Sequence, residues 1–302
     1  MSQFVKNGTQ KHSSRLIKTA KELAKEMDSY TVDPASKGVF GSKAKIICGD
    51  VTISSDTLDV EFNVKFDDDM EVNEAEVTIY NLSNNTVNRI KYRSQISIEA
   101  GFDDDTGVIF SGFVDKVTTT YSDADKITTI RCYDDITNKT IEEITYAANT
   151  TASYILKDLL NKTGTPIAVF NMRRDHTYED EQKVDGSLTE NIKKYSEVCG
   201  VSTYIKNGKI YSRYIKEGDS TNFTISEDTG MIGSPSAYEE EVTAEDFKET
   251  VNGYEVEMLL QHRMSAGAIC NIKSLVVNGQ YRVRSGEHVF AIDECTTRVK
   301  MM

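Results

Sequence analysis

Cys199 with His262 or His288 is the one combination in this chain from which a thiol nucleophile and an imidazole base could be assembled. The chemistry would be that of a cysteine hydrolase. Cys199, however, falls at the predicted C-terminus of a helix that stops at Gly200, where the helix dipole raises a thiol pKa instead of lowering it. No activated thiol is expected there. The other cysteines (Cys48, Cys132, Cys270 and Cys295) are widely spaced and never form C-x-x-C, so neither a zinc ribbon nor a disulfide framework is indicated, and buried reduced thiols are the expectation. Four histidines occur, none in H-E-x-x-H, and the phosphate-cradling patterns G-x-x-x-x-G-K-[ST] and G-x-G-x-x-G are missing. The sequence therefore predicts no catalytic residue, no metal site and no cofactor.

Carboxylate pairs are abundant, and residue type alone leaves two-carboxylate glycosidase chemistry open. Asp67-Asp68-Asp69, Asp103-Asp104-Asp105 and Asp123-Ala-Asp125 all fall in predicted turns, where solvated charge is the ordinary reading, and none has EF-hand spacing. Carboxylates could also line a channel and repel a passing polyanion. The 15 tyrosines, with no tryptophan, read as strand packing before they read as a sugar platform.

These residues must be carried by a chain of 302 residues, enough for two or three domains. A formal charge of -13 opposes non-specific attraction to nucleic acid or anionic lipid. No stretch approaches the roughly 20 apolar residues that span a bilayer, and the N-terminus lacks a secretory signal core. A protein made in a cytoplasm and released by lysis would show the same pattern.

Residues 1–39 form a basic opening with Leu16, Leu23 and Met27 on one stripe of an amphipathic helix, followed by a linker. That stripe needs a partner surface, on the chain's own body or on a neighbour. From 40 to 145 the period becomes two: Leu58, Val60, Phe62, Val64 and Phe66 alternate with polar residues, and further strands are predicted at 45–53, 75–81, 94–101, 107–120 and 125–134. Residues 146–229 read as an α+β module. A helix at 150–163 is capped by Thr151 or Ser153 and ended by Gly164, a second runs from Ser187 to Gly200, and a hairpin turns at Asn207-Gly208. From 230 to 302 strands return at 237–242, 253–259, 268–276, 279–289 and 294–300, with a turn signal at Val277-Asn278-Gly279. No long-period repeat is visible.

Several phrases, in this order, resemble the baseplate hub proteins of contractile-tailed phages and related bacteriocins, the late-control protein D-like family. They are Glu76-Val-Thr-Ile-Tyr-Asn-Leu-Ser with Ile96-Ser-Ile-Glu-Ala-Gly-Phe, then Val108-Ile-Phe-Ser-Gly-Phe-Val-Asp-Lys-Val, then Gly230-Met-Ile-Gly-Ser-Pro. Gly253-Tyr-Glu-Val-Glu-Met-Leu-Leu, Ala266-Gly267-Ala268 and Val277 to His288 complete the set. Ala266 stands where the family usually has proline. The resemblance spans about 45–300.

It implies a mainly β fold with an α+β insert: two tube-like antiparallel β-barrel domains, a small helix and hairpin module, and an N-terminal helix. It implies a structural role, not catalysis. Three chains would make a pseudo-sixfold ring between a sixfold tail tube and a threefold spike, because a head-to-tail ring of duplicated modules satisfies both symmetries. The partners implied are two further copies of the chain, a tail tube protein, a spike protein and other baseplate or tape-measure proteins, with no sequence-specific nucleic acid and no stable membrane insertion. Tyr80, Leu82, Phe110, Phe113, Tyr254 and Tyr281 are expected near barrel cores or seams. A tail-associated cell-wall hydrolase or carbohydrate-binding adhesin, and a sixfold tail-tube initiator, are the alternatives.

Overall fold

The computed structural model describes residues 41–134, 139–244 and 247–302. The predicted stripe of Leu16, Leu23 and Met27 lies outside the described residues.

Alternating sequence produces the first group of strands: β1 (Ser42–Cys48), β2 (Val51–Ser54), β3 (Val60–Phe66), β4 (Glu74–Tyr80), β5 (Gln95–Phe102), β6 (Asp105–Ser122) and β7 (Asp125–Tyr133). In β3 the apolar Val60, Phe62 and Val64 are buried and the residues between them are not, the signature of a sheet packed on one face. The expected strand 45–53 divides into β1 and β2 because Gly49, at φ 58°, takes a left-handed turn closed to most side chains. Asp103 and Asp123, also left-handed, turn the β5–β6 and β6–β7 hairpins. The strands run in the order β3-β4-β7-β6-β5-β1-β2, antiparallel throughout. Burial, with the Cys48 thiol as neighbour, pushes the Cys132 thiol up to about 12, although β1 and β7 are separated in the ladder by β5 and β6.

The second group comprises β13 (Asp219–Ile225), β14 (Met231–Ala244), β15 (Phe247–Leu259), β16 (Ala268–Lys273), β17 (Asn278–Phe290) and β18 (Cys295–Met301). Their order is β14-β15-β18-β17-β16-β13, with only β13 and β16 parallel. Val256, Met258, Met264, Ile272, Val283, Val299 and Met301 form its core. β13, which the expected boundary at 229 assigns to the insert, pairs with β16 and buries Ile225 in this core. The turn expected at Val277-Asn278-Gly279 lies earlier, over Ser274–Val277. There the Ser274 hydroxyl accepts from the Val276 and Val277 amides, and Asn278 already pairs with Lys273.

Between the two groups lie β8 (Thr140–Tyr146), α2 (Ala152–Thr163), β9 (Ile167–Phe170), β10 (Gln182–Ser187), α3 (Leu188–Cys199), β11 (Ser202–Lys206) and β12 (Lys209–Arg213), α1 being a single turn at Asn84–Val87. Thr151 caps α2 by accepting from Tyr154 N, Ser187 caps α3 by accepting from Glu190 N, and Gly164 and Gly200 end them in left-handed conformation. Asn207 and Gly208, both at positive φ, make the two-residue turn between β11 and β12. Leu156, Leu159, Leu160, Leu188, Ile192 and Tyr195 pack the helices together, and β8, pairing with β10, joins that core through Tyr146. The insert docks on the second sheet at Gly267, where a Cβ would lie 2.0 Å from the Tyr204 hydroxyl. Arg213 donates to that hydroxyl from Nε at 3.0 Å and Nη2 at 2.6 Å and pairs with Asp219.

Candidate assembly interface

The two strand groups share one design. Matching β3 with β14, β4 with β15, β5 with β16, β6 with β17 and β7 with β18, both groups have the order first-second-fifth-fourth-third, with every neighbour antiparallel. The correspondence extends to irregularities. Pairing of β6 with β7 skips a residue between Val114 and Lys116, and pairing of β17 with β18 skips one between Val283 and Ser285. A bulge is a local feature that strand alternation does not impose, so its recurrence fixes the register of the match. Just before the skip, Val114 O accepts from Arg93 N at 2.8 Å and Val283 O accepts from Gly267 N at 3.0 Å.

The modules are fused edge to edge. β17 pairs antiparallel with β3, Gly286 facing Phe66, Glu287 facing Lys65, His288 facing Val64 and Phe290 facing Phe62. Phe62 stacks on Phe290 at 5.2 Å and Phe66 tilts against His288 at 5.0 Å. A Cβ on Gly286 would lie 2.4 Å from Arg298 O and 2.7 Å from the Phe66 ring, so only glycine lets the two backbones and that ring approach. One continuous ladder of hydrogen bonds therefore runs through both modules.

Charge locks the seam. Asp68, 5% exposed, accepts from Arg282 Nη1 at 2.5 Å and Arg284 Nη2 at 3.3 Å, and its backbone oxygen accepts from Ser202 Oγ of the insert. The expectation that Asp67-Asp68-Asp69 is simply solvated is corrected at its middle member: solvation is replaced by two guanidinium groups. Its neighbour Asp67 is pushed up to about 7 by burial and by the carboxylates of Asp69 and Asp68. Asp105 is likewise engaged, with Arg263 Nη1 at 2.6 Å and His262 Nε2 at 3.0 Å. The Arg263 hydrogen bond first, then that of His262, hold its carboxyl well below the usual range against the opposing effect of burial. No group of acids, histidines and cysteines able to hold a metal occurs among the described residues.

The residues singled out from sequence distribute unevenly. Leu82 and Phe110 are buried, 3% and 4% exposed. Tyr80 is half-buried with its hydroxyl 3.3 Å from Glu61, and Phe113 is half-buried where β6 passes from β5 to β7. Tyr254 and Tyr281 meet edge to face at 5.4 Å against the second core. None of these six lies on the β3–β17 seam. The seam residues Phe62, Phe66, Gly286, His288 and Phe290 carry no motif, and a glycine inside a predicted strand was the available signal. Cys199 is fully buried in the helical core, its thiol pushed up to about 12 by burial and by Asp175, and Arg174 rather than a histidine is its basic neighbour.

Several strand edges are open among the described residues, β2 pairing only with β1 and β13 only with β16. β14 pairs only with β15, leaving its outer edge bare, and β6 beyond Val114 pairs only with β7.

Two antiparallel modules of one strand order are thus fused through a shared ladder and carry a helical insert. Solved structures share the fold. A 43 kDa tail protein of prophage MuSo2 from Shewanella oneidensis superposes with TM-score 0.59 at 9% identity, covering 86% of this chain and 96% of that one. A tail protein from Neisseria meningitidis MC58 gives 0.60 at 6% identity, covering 87% and 96%. An Escherichia coli component of the type VI secretion system, described as structurally similar to bacteriophage T4 tail proteins gp27 and gp5, gives 0.57 at 8% identity, covering 85% and 76%. No curated protein matches in sequence. The family model described as baseplate hub gp41 matches residues 49–290, and the chain belongs to that family.

Proposed function

We propose that this baseplate hub protein acts as a homotrimer whose six β modules form a pseudo-sixfold ring, adapting a sixfold tail tube to a threefold spike. The observation that carries the reading is the duplication: a chain with two modules of one strand order, already joined edge to edge, has the minimal unit of such a ring inside it. A heterologous contact between successive modules closes only if rotation per contact divides the circle, and three two-module chains meet that condition at about 60° per module. Residues 40–145 and 230–302 supply the ring modules and 146–229 the α+β module, with β8 contributing to the insert and β13 to the second sheet. The reading places the chain in a virion or phage-tail-like particle, made in the cytoplasm, released by lysis, and in contact with tube, spike and other baseplate or tape-measure proteins. Its action is by assembly and not by catalysis.

Native mass measurement of the isolated ring tests this. Three chains per ring is the expected result. Six chains would favour the tube-initiator reading, and a lone chain attached to the particle would favour an adhesin or hydrolase.

A further inference from the structure

The match between the modules assigns a partner to two of the open edges, those of β14 and of β6 beyond Val114. In the fused seam, the first strand of one module (β3) lies along the fourth strand of the other (β17), beyond the point where the third strand (β16) leaves it. Arg282 shows the geometry: it pairs with Ile269 of β16 on one edge and exchanges backbone hydrogen bonds with Met302 on the other, and β3 continues the β16 edge from Gly286 to Phe290. β6 repeats the arrangement. Phe113 pairs with Gln95 of β5 on one edge and with Tyr133 of β7 on the other, and past Val114 the β5 edge has no strand along it among the described residues.

The strand that belongs there is the second module's own first strand, β14, whose outer edge is unpaired among the described residues. We propose that β14 of one copy pairs antiparallel with β6 of the next copy, in the register of the β3–β17 seam. The partner is thus a second copy of this chain, and the inference rests on the ring reading given above. Superposing the skipped residues places Val117 at the position of Gly286, Thr118 at that of Glu287 and Thr119 at that of His288. Following the ladders through β7 and β18, then β4 and β15, places Ala237 at the position of Val64 and Tyr238 at that of Lys65. The intercopy pairs are Val117 with Glu239, Thr118 with Tyr238, Thr119 with Ala237 and Thr120 with Ser236.

The composition of the open edge of β6 supports this. Lys116 is followed by Val117-Thr-Thr-Thr-Tyr-Ser122, an uncharged, β-branched run with Tyr121 74% exposed. An edge with high β propensity and no charge is a template for pairing, and soluble proteins either cover it or guard it with charge. Among the described residues no strand covers it on that side.

The charge lock is not repeated, because Phe113 and Asp115 stand where Arg282 and Arg284 stand in the other module. The intercopy seam therefore relies on backbone pairing and Thr and Tyr side chains. It should open before the fused one.

Cross-linking tests the register. In the full chain, Thr119→Cys with Ala237→Cys places two thiols on facing strands at disulfide reach, whereas Thr118→Cys with Ala237→Cys puts them on opposite faces. The five native cysteines are buried and leave the background low. Lys65→Cys with Glu287→Cys reports the fused seam as an intrachain control. Oxidation of assembled rings should shift most of the Thr119/Ala237 variant into covalent dimers and trimers on a non-reducing gel, with the Thr118/Ala237 variant and both single variants remaining monomeric. Native mass of each reduced variant is measured in parallel. A three-chain ring without cross-linking overturns the seam and leaves the ring reading standing, while a six-chain ring with cross-linking supports the seam and overturns the trimer. A monomer that never cross-links overturns both.

Discussion

His288 packs against Phe66 across the strand pair that fuses the two modules, ring centroids 5.0 Å apart, and both ring nitrogens are engaged: Nε2 lies 3.0 Å from Met264 O and Nδ1 2.8 Å from Thr297 Oγ1. Met264 O can only accept, so Nε2 carries the proton and Nδ1 accepts from the Thr297 hydroxyl, which itself accepts from Gln261 N at 3.0 Å. A second ring proton would displace this chain of bonds. Burial pushes the His288 pKa down to about 4.

The pH consequence follows in sign. An unfolded histidine takes up its proton near 6.5 and the folded one only near 4, so the unfolded state binds more protons in that window and stability is lost as pH falls through it. Relative to a His288→Gln variant, the native chain should lose about 3 kcal/mol between pH 6.5 and 4, read by chemical denaturation at each pH. A parallel pH dependence in both proteins would contradict the buried neutral imidazole.

Asp67 works in the opposite direction over the same range. Its folded pKa near 7 against about 4 unfolded means the folded state holds the extra proton, so stability falls as pH rises from 4 to 7. Asp67→Asn keeps an oxygen to accept from Asp69 N and removes the charge. The variant should exceed the native chain by about 1–2 kcal/mol at pH 8 and match it at pH 4, after allowance for partial exposure.

Removing the Asp68 carboxylate takes from the nearly buried Arg282 its acidic partner and leaves the largely buried Arg284 with Glu240 alone. Asp68→Ala should cost on the order of 3–5 kcal/mol, more than any exposed ion-pair deletion such as Arg89→Ala. Equal losses from the two variants, by denaturant titration, would show that the junction is not held by charge.

The thiols offer a direct probe of packing. All five cysteines are buried, and burial pushes Cys132, Cys199, Cys270 and Cys295 up to about 12. A colorimetric thiol reagent at pH 8 should label none of these in the folded chain and every cysteine in denaturant. Rapid labelling of Cys199 in the folded chain would reopen the thiol-hydrolase reading.

What the sequence made legible is local. Thr151, Ser187, Gly164 and Gly200 mark helix ends by capping chemistry that depends on neighbours within a turn, and Asn207-Gly208 dictates its hairpin. The alternation in β3 reveals which face is buried and nothing about which strand lies beside it. Asp68 reads as a turn acid because its partner Arg282 is 214 residues away. The duplication is hidden for the same reason. Strand order is set by long-range pairing, and each strand needs only alternation, so β6 and β17 occupy the same place with Val-Thr-Thr-Thr in one and Gly-Glu-His-Val in the other. β13 reads as part of the insert because its pairing with β16 depends on residues more than forty positions downstream.

The most direct test of the ring is an image reconstruction of the tail tip, refined without imposed symmetry, at a resolution that separates strands. The duplicated fold predicts six β modules around the axis in alternating first and second kind, contributed by three chains, with the tube on one side and the spike on the other. Six modules all of one kind, or a single copy of the chain lying off the axis, would contradict it.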